Sequence, residues 1–161
     1  MPTNIQNPVS TMMSDPAFLW PIRAFIYRHF AETTRPPTAA ETAAEFQISE
    51  AQAASAYAEL HQRHAVFLDG ETGAIRMANP FSAVPTAFRV QAGGRAYFAN
   101  CAWDALGIPA ALHSDADIEA NCAGSGESLG LAVRTGQVVS QGELIHFLVP
   151  FRRWYEDMIF T

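Results

Sequence analysis

Between Phe18 and Ala31, apolar positions recur at steps of three and four: Phe18, Ile22, Phe25 and Ile26, with His29 closing the stripe. That spacing lines one face of a 3.6-residue helix and predicts a helix there. Pro21 suits its first turn, where a missing N–H is harmless, and Arg35-Pro36-Pro37 stops it. Thr38 then stands three residues ahead of Glu41, a capping box that starts a second helix running to about Phe46. Ser49 repeats the device ahead of Ala53, Ala56, Tyr57 and Leu60, so a third helix ends near His64. Val66-Phe67-Leu68 and Ala74 to Met77 flank Asp69 to Gly73, a strand, a glycine-containing turn and a strand. Three short helices and a hairpin define a winged-helix-like module over residues 17–79. Ahead of it, residues 1–16 are polar and contain Pro2, Pro8 and Pro16, which predicts a flexible arm.

After Asn79 the pattern changes. Asn79-Pro80-Phe81 and Val84-Pro85 read as an extended connection. Strands are predicted at Phe88 to Val90 and Arg95 to Ala99, around the turn Ala92-Gly93-Gly94. Cys101 to Leu112 reads as a helix, interrupted or ended around Gly107 and Pro109. Further strands are expected at Asp115 to Cys122, Leu129 to Thr135 and Glu143 to Val149, with Ala123-Gly124-Ser125-Gly126 joining the first two. The class is α+β: the helical module, then a small mixed sheet with one helix over residues 80–161.

Charge narrows the functions available. The 161 residues suggest one domain or two small interlocked ones. Ten basic residues, all arginine, face 16 acidic ones, for a net charge of −6. The third helix carries Glu50 and Glu59 and meets no base before Arg63. Phosphate contact is chiefly Lys and Arg work, so this charge pattern disfavours DNA as a partner. The longest apolar runs fall far short of the ~20 residues of a membrane span, and no secretory signal opens the chain. Two cysteines make no disulfide framework, so a reducing cytoplasm is the expected location. Oligomeric state is left open.

Cys101 is the thiol in a position to react. It sits where a strand hands over to a helix, and helix N-termini favour the thiolate. Asp104 follows three residues later on the same helical face. A thiolate and a carboxylate disfavour each other's charge. An Asp104 that kept its proton could deliver it to a group leaving from sulfur or from a sulfur-bound metal. The alternative is a buried Cys101 packed as a small hydrophobe beside an ordinary first-turn carboxylate. His61 and His64 lie at i, i+3, and His29, His113 and His146 are scattered singly; they make no ligand set. The loop at 124–126 lacks the lysine of a phosphate-binding loop and reads as a turn.

The string from Arg95 to Leu112, Arg-Ala-Tyr-Phe-Ala-Asn-Cys-Ala-Trp-Asp-Ala-Leu-Gly-Ile-Pro-Ala-Ala-Leu, resembles the core of the organomercurial (alkylmercury) lyases. That family has a tyrosine-containing strand, Cys-Ala-x-Asp, Pro-Ala-Leu, and a later Cys-Ala-x-x-Gly, matched here by Cys122 to Gly126. It also places a winged-helix-like module before the core. The resemblance implies that two thiolates grip the mercury of an organomercurial while a carboxylic acid protonates the carbon. Cys101 then corresponds to the first thiolate and metal ligand, Asp104 to the proton donor, and Cys122 to a cysteine kept for structure, with a role as second thiol also open. The family's second catalytic cysteine aligns with the segment Arg153 to Phe160, where Tyr155 or a neighbour takes its place. The implied function is capture of a soft metal or organometal, with carbon–mercury cleavage altered or lost. No resident cofactor is required, bound Hg or Cu is compatible, and the implied partners are a small organometal or soft electrophile and external thiols. Two other classes compete: a winged-helix transcriptional regulator or ligand sensor using the core as effector domain, and a non-catalytic scaffold or dimer.

Overall fold

The computed structural model describes residues 16–122, 124–139, 142–147 and 149–156. The expected arm therefore lies almost wholly outside the described residues, as do Ala123, Ser140, Gln141, Leu148 and residues 157–161. The chain divides into two compact units, Met1–Pro85 and Thr86–Thr161.

The first unit contains α1 (Pro16–Thr33), α2 (Ala39–Phe46), α3 (Glu50–Gln62), β1 (Phe67–Leu68), β2 (Ile75–Ala78) and β3 (Phe81–Ser82). The three- and four-residue spacing in α1 buries Leu19, Ile22, Phe25, Ile26 and Phe30. Phe25 meets Phe46 edge to face at 5.7 Å, and Phe30 stacks on Phe81 at 5.3 Å. Pro21 lies inside α1, because the helix begins at Pro16 rather than near Phe18. Both capping boxes form: Thr38 with Glu41, and Ser49 with Gln52. One polar link crosses the helical core, where Thr42 Oγ1 and Tyr57 Oη lie 2.5 Å apart. The Tyr57 hydroxyl is also within 3.2 Å of the Pro37 and Thr38 carbonyls. Strands β1 and β2 pair antiparallel, as do β2 and β3.

The second unit contains β4 (Arg89–Ala92), β5 (Arg95–Ala99), α4 (Ala102–Leu112), β6 (Ala116–Asn121), β7 (Ser128–Arg134), β8 (Gln137–Val139) and a 3-10 turn over Phe151–Glu156. Its strands run in the order β5-β4-β6-β7-β8. Gly93 and Gly94 take φ of +56° and +75°, which the two-residue hairpin closing on Ala92↔Arg95 requires. Helix α4 then carries the chain over the sheet to β6, which pairs with β4 on its other side. The sheet of this unit is therefore antiparallel at each pairing, not mixed as the sequence suggested. The crossover deposits β6 two places from β5, with β4 between them, so no parallel neighbours arise. Alternation in β6 buries Ala116, Ile118 and Ala120. Together with Val90, Ala92, Tyr97 and Ala99 they form the buried layer of the sheet, against which Ala105, Ile108 and Pro109 of α4 are also buried.

Two further expectations are corrected. Helix α4 continues through Gly107 and Pro109 to Leu112. Pro109 is fully buried, and that packing outweighs the hydrogen bond its ring removes. The strand expected at Glu143 to Val149 is absent among its described residues. The position beside β7 is taken instead by β8, which turns back at Thr135-Gly136 and pairs Arg134 with Gln137.

Candidate active site

Strand β5 ends at Ala99, and Thr86 Oγ1 donates to the Ala99 carbonyl at 2.6 Å, fixing the strand end. Cys101 follows as the N-cap of α4, with extended backbone at φ −151° and ψ 178°. Its Sγ accepts the Asp104 N–H at 3.5 Å. A sulfur here fills the place that a serine or aspartate oxygen usually takes at a helix start. The Cys101 carbonyl accepts from Ala105 at 2.9 Å, the first helical bond. Asp104, in the first turn, receives Asn100 Nδ2 on its Oδ2 at 3.2 Å. The Cys101 thiol and the Asp104 carboxylate lie close enough in this turn to influence each other's charge. Cysteine and acid, predicted to share a face, are thus brought together, both half-buried.

The electrostatics correct one expectation. Burial pushes the Cys101 thiol up, the Asp104 carboxylate adds to the rise, and the helix-terminal N–H groups fail to reverse it. Burial likewise raises Asp104 above the usual carboxylate range, against the opposing hydrogen bonds from Asn100 and Cys101. Sulfur and carboxylate therefore both hold protons more tightly than they would in water.

Cys122 behaves in the opposite way. It follows the last residue of β6, half-buried, in a turn closed by Cys122 N to Glu127 O and Gly126 N to Cys122 O, both at 2.8 Å. The Ser125 hydroxyl and the Ser125 and Gly124 N–H groups converge on its sulfur and lower its pKa. Both cysteines are free thiols.

Tyr155 belongs to the 3-10 turn, half exposed, with its ring 6.4 Å from Phe151. A run of ring contacts links this segment to α4: Trp103 to Phe147 at 6.3 Å, Phe147 to Trp154 at 5.1 Å, Trp154 to Phe151 at 5.0 Å. Asn100, Trp103, Phe147 and Trp154 are neighbours that the sequence reading did not single out. Asn100 alone carried a local signal, four residues before Asp104. Among the described residues, no group of three or more His, Cys, Asp or Glu could hold a metal ion. His61 and His64 rest on the Phe67 ring, at 5.9 and 6.2 Å. Arg63, at the end of α3, is bound to Glu59 at 2.8 Å. No helix is long and apolar enough to cross a membrane among the described residues.

The site defines the class: an α+β protein with a thiol and a carboxyl group joined at one helix start. Residues 81–158 match the family model described as alkylmercury lyase. The crystal structure of the mercury-bound form of MerB2 superposes with a TM-score of 0.64 at 25% identity, covering 84% of this chain and 67% of that one. No curated protein matches the chain. Over residues 81–158, just under half of the chain, the protein is therefore similar to the alkylmercury lyases, and its fold resembles that of the mercury-bound MerB2 structure.

Proposed function

We propose that the protein captures organomercurials, or a related soft metal such as copper, through Cys101, with Asp104 handling the proton. The observation that carries this reading is the placement of both groups in the first turn of α4, half-buried, with Cys101 Sγ accepting the Asp104 N–H at 3.5 Å and the two side chains close enough to influence each other's charge. Soft sulfur selects a soft metal. When the mercury of R–Hg–SR′ forms its bond to Cys101 Sγ, the thiol proton passes to Asp104. Asp104 then delivers that proton to the carbon as the C–Hg bond breaks, releasing R–H. Mercury stays divalent throughout and ends on Cys101 and the external thiolate R′S⁻. That external thiol stands in for the second cysteine of the family, since Tyr155 offers no sulfur. Within this reading, residues 17–79 form the winged-helix-like module and residues 80–161 the lyase-like core. Its setting is the reducing cytoplasm, where small thiols abound.

The test uses the full chain with phenylmercury or methylmercury in excess glutathione, measuring hydrocarbon release and protein-bound mercury. Release that vanishes in both Cys101→Ser and Asp104→Asn, with mercury uptake surviving only in the latter, is the expected outcome. Uptake unaffected by Cys101→Ser refutes the proposal.

A further inference from the structure

The rings beside Cys101 have no role in the chemistry just described. Trp103 stands two residues from the sulfur and is 60% exposed, an unusual placement for so large an apolar side chain. It does not stand alone. Phe147, Phe151 and Tyr155 are also exposed, and Trp154 sits among them. The contacts from Trp103 through Phe147 to Trp154 and Phe151 are edge-to-face or tilted at 5.0 to 6.3 Å, the spacing of attractive aromatic pairs. Trp103 at 60% and Phe147 at 38% exposure leave part of the row accessible to a further ring. The row is anchored at its far end by the Trp154 Nε1–H bond to the Val149 carbonyl at 3.0 Å. At its near end Trp103 lies in the first turn of α4, two residues after the N-cap Cys101.

We propose that Trp103, Phe147 and Trp154 form an aromatic shelf that binds the carbon substituent of the organometal and selects flat aryl groups over short alkyl ones. The inference rests on the function proposed above. A phenyl group on mercury at Cys101 adds one more ring to the row and covers exposed apolar surface. A methyl group offers neither a π-face nor comparable area.

The experiment compares phenylmercury with methylmercury on the full chain in excess glutathione, by competition for protein-bound mercury and by kcat/KM for hydrocarbon release. Wild type is expected to favour phenyl by roughly three- to tenfold beyond the preference of glutathione itself. In Trp103→Leu, and separately in Phe147→Leu, that ratio should fall at least threefold, with thermal unfolding reporting that each variant is folded. An unchanged ratio in both variants, or equal losses for the two substrates, assigns the rings to packing and overturns the shelf while leaving the proposed function standing. No Cys101-dependent uptake of either substrate overturns the proposed function and the shelf together.

Discussion

Replacing Asp104 by Asn should make this protein more stable and, under the proposed function, abolish proton delivery. The carboxyl is half-buried in the first turn of α4, and burial influences it more than the hydrogen bonds from Asn100 and Cys101 that favour its charge. Its folded pKa therefore lies above its unfolded one. A group shifted this way contributes its full stability below the unfolded pKa, near 3.9 for aspartate, and loses it as pH rises through the folded value. Near neutrality the wild type bears the cost of a buried charge; an amide bears none at any pH. Two losses oppose the gain. The helix terminus gives up an attraction of about 0.3–1 kcal/mol, and the Asn100 contact becomes one between neutral groups. Both already act on Asp104 in the wild type, and its pKa is raised in spite of them, so the neutral side chain wins.

A net gain of roughly 0.5–2 kcal/mol is the usual size for relieving one such cost. For a chain of 161 residues that raises Tm by about 1–8 °C at pH 7.5. Calorimetry of wild type and Asp104→Asn at pH 7.5 and at pH 4 checks this, since the gap should shrink at the lower pH as the wild-type carboxyl takes up its proton. A gap of the same size at both pH values, or a less stable variant at pH 7.5, refutes the reasoning. In the same variant, hydrocarbon release should fall by roughly 10²- to 10⁴-fold, the ordinary contribution of a positioned acid.

Tyr57→Phe leaves the Thr42 hydroxyl without its 2.5 Å partner and should cost about 1–3 kcal/mol by denaturant titration. Burial pushes Tyr57 up to about 12, so the wild type should also lose stability from pH ~10 upward, and the variant should show a weaker alkaline loss. The two cysteines should react in the order opposite to that expected from sequence: iodoacetamide at pH 7.5 should label Cys122, lowered by its turn, before Cys101, raised by burial and Asp104. Mass spectrometry of digested protein over time reads that order, and faster labelling of Cys101 contradicts the assigned electrostatics.

Local chemistry was legible in the sequence; through-space balance was not. The Thr38 and Ser49 boxes, the Gly93-Gly94 hairpin and the alternation of β6 each depend on residues within a few positions of one another, and all form. Cys101 and Asp104 could be placed on one helical turn because three residues of spacing fix a face. The sign of the Cys101 shift could not, because it depends on how deeply the α4 terminus sinks. The rule that helix N-termini favour thiolates omits that depth. The segment after Gly142 misled for a related reason. Leu144, Ile145 and Phe147 look like a strand, but a strand needs a neighbour, and β8 had already taken the edge of β7. Leu144 is left 92% exposed, and Phe147 turns to Trp103 instead.

A thiol held protonated beside an acid is a poor nucleophile toward carbon, and that bears on the reaction the pair suits. A metal ion does not wait for a free thiolate; it replaces the proton on sulfur. Each unit of raised pKa costs this exchange about 1.4 kcal/mol. The bond of a soft metal to sulfur supplies the opposing term, and the displaced proton has an acceptor in the neighbouring Asp104 carboxylate of the same helical turn. The burial that weakens Cys101 as a free nucleophile also favours the neutral form of Asp104, the form that can protonate a carbon leaving mercury. One environment thus disfavours alkylation-type chemistry at this cysteine and favours protonolysis, and it does so with a single protein sulfur at the start of α4.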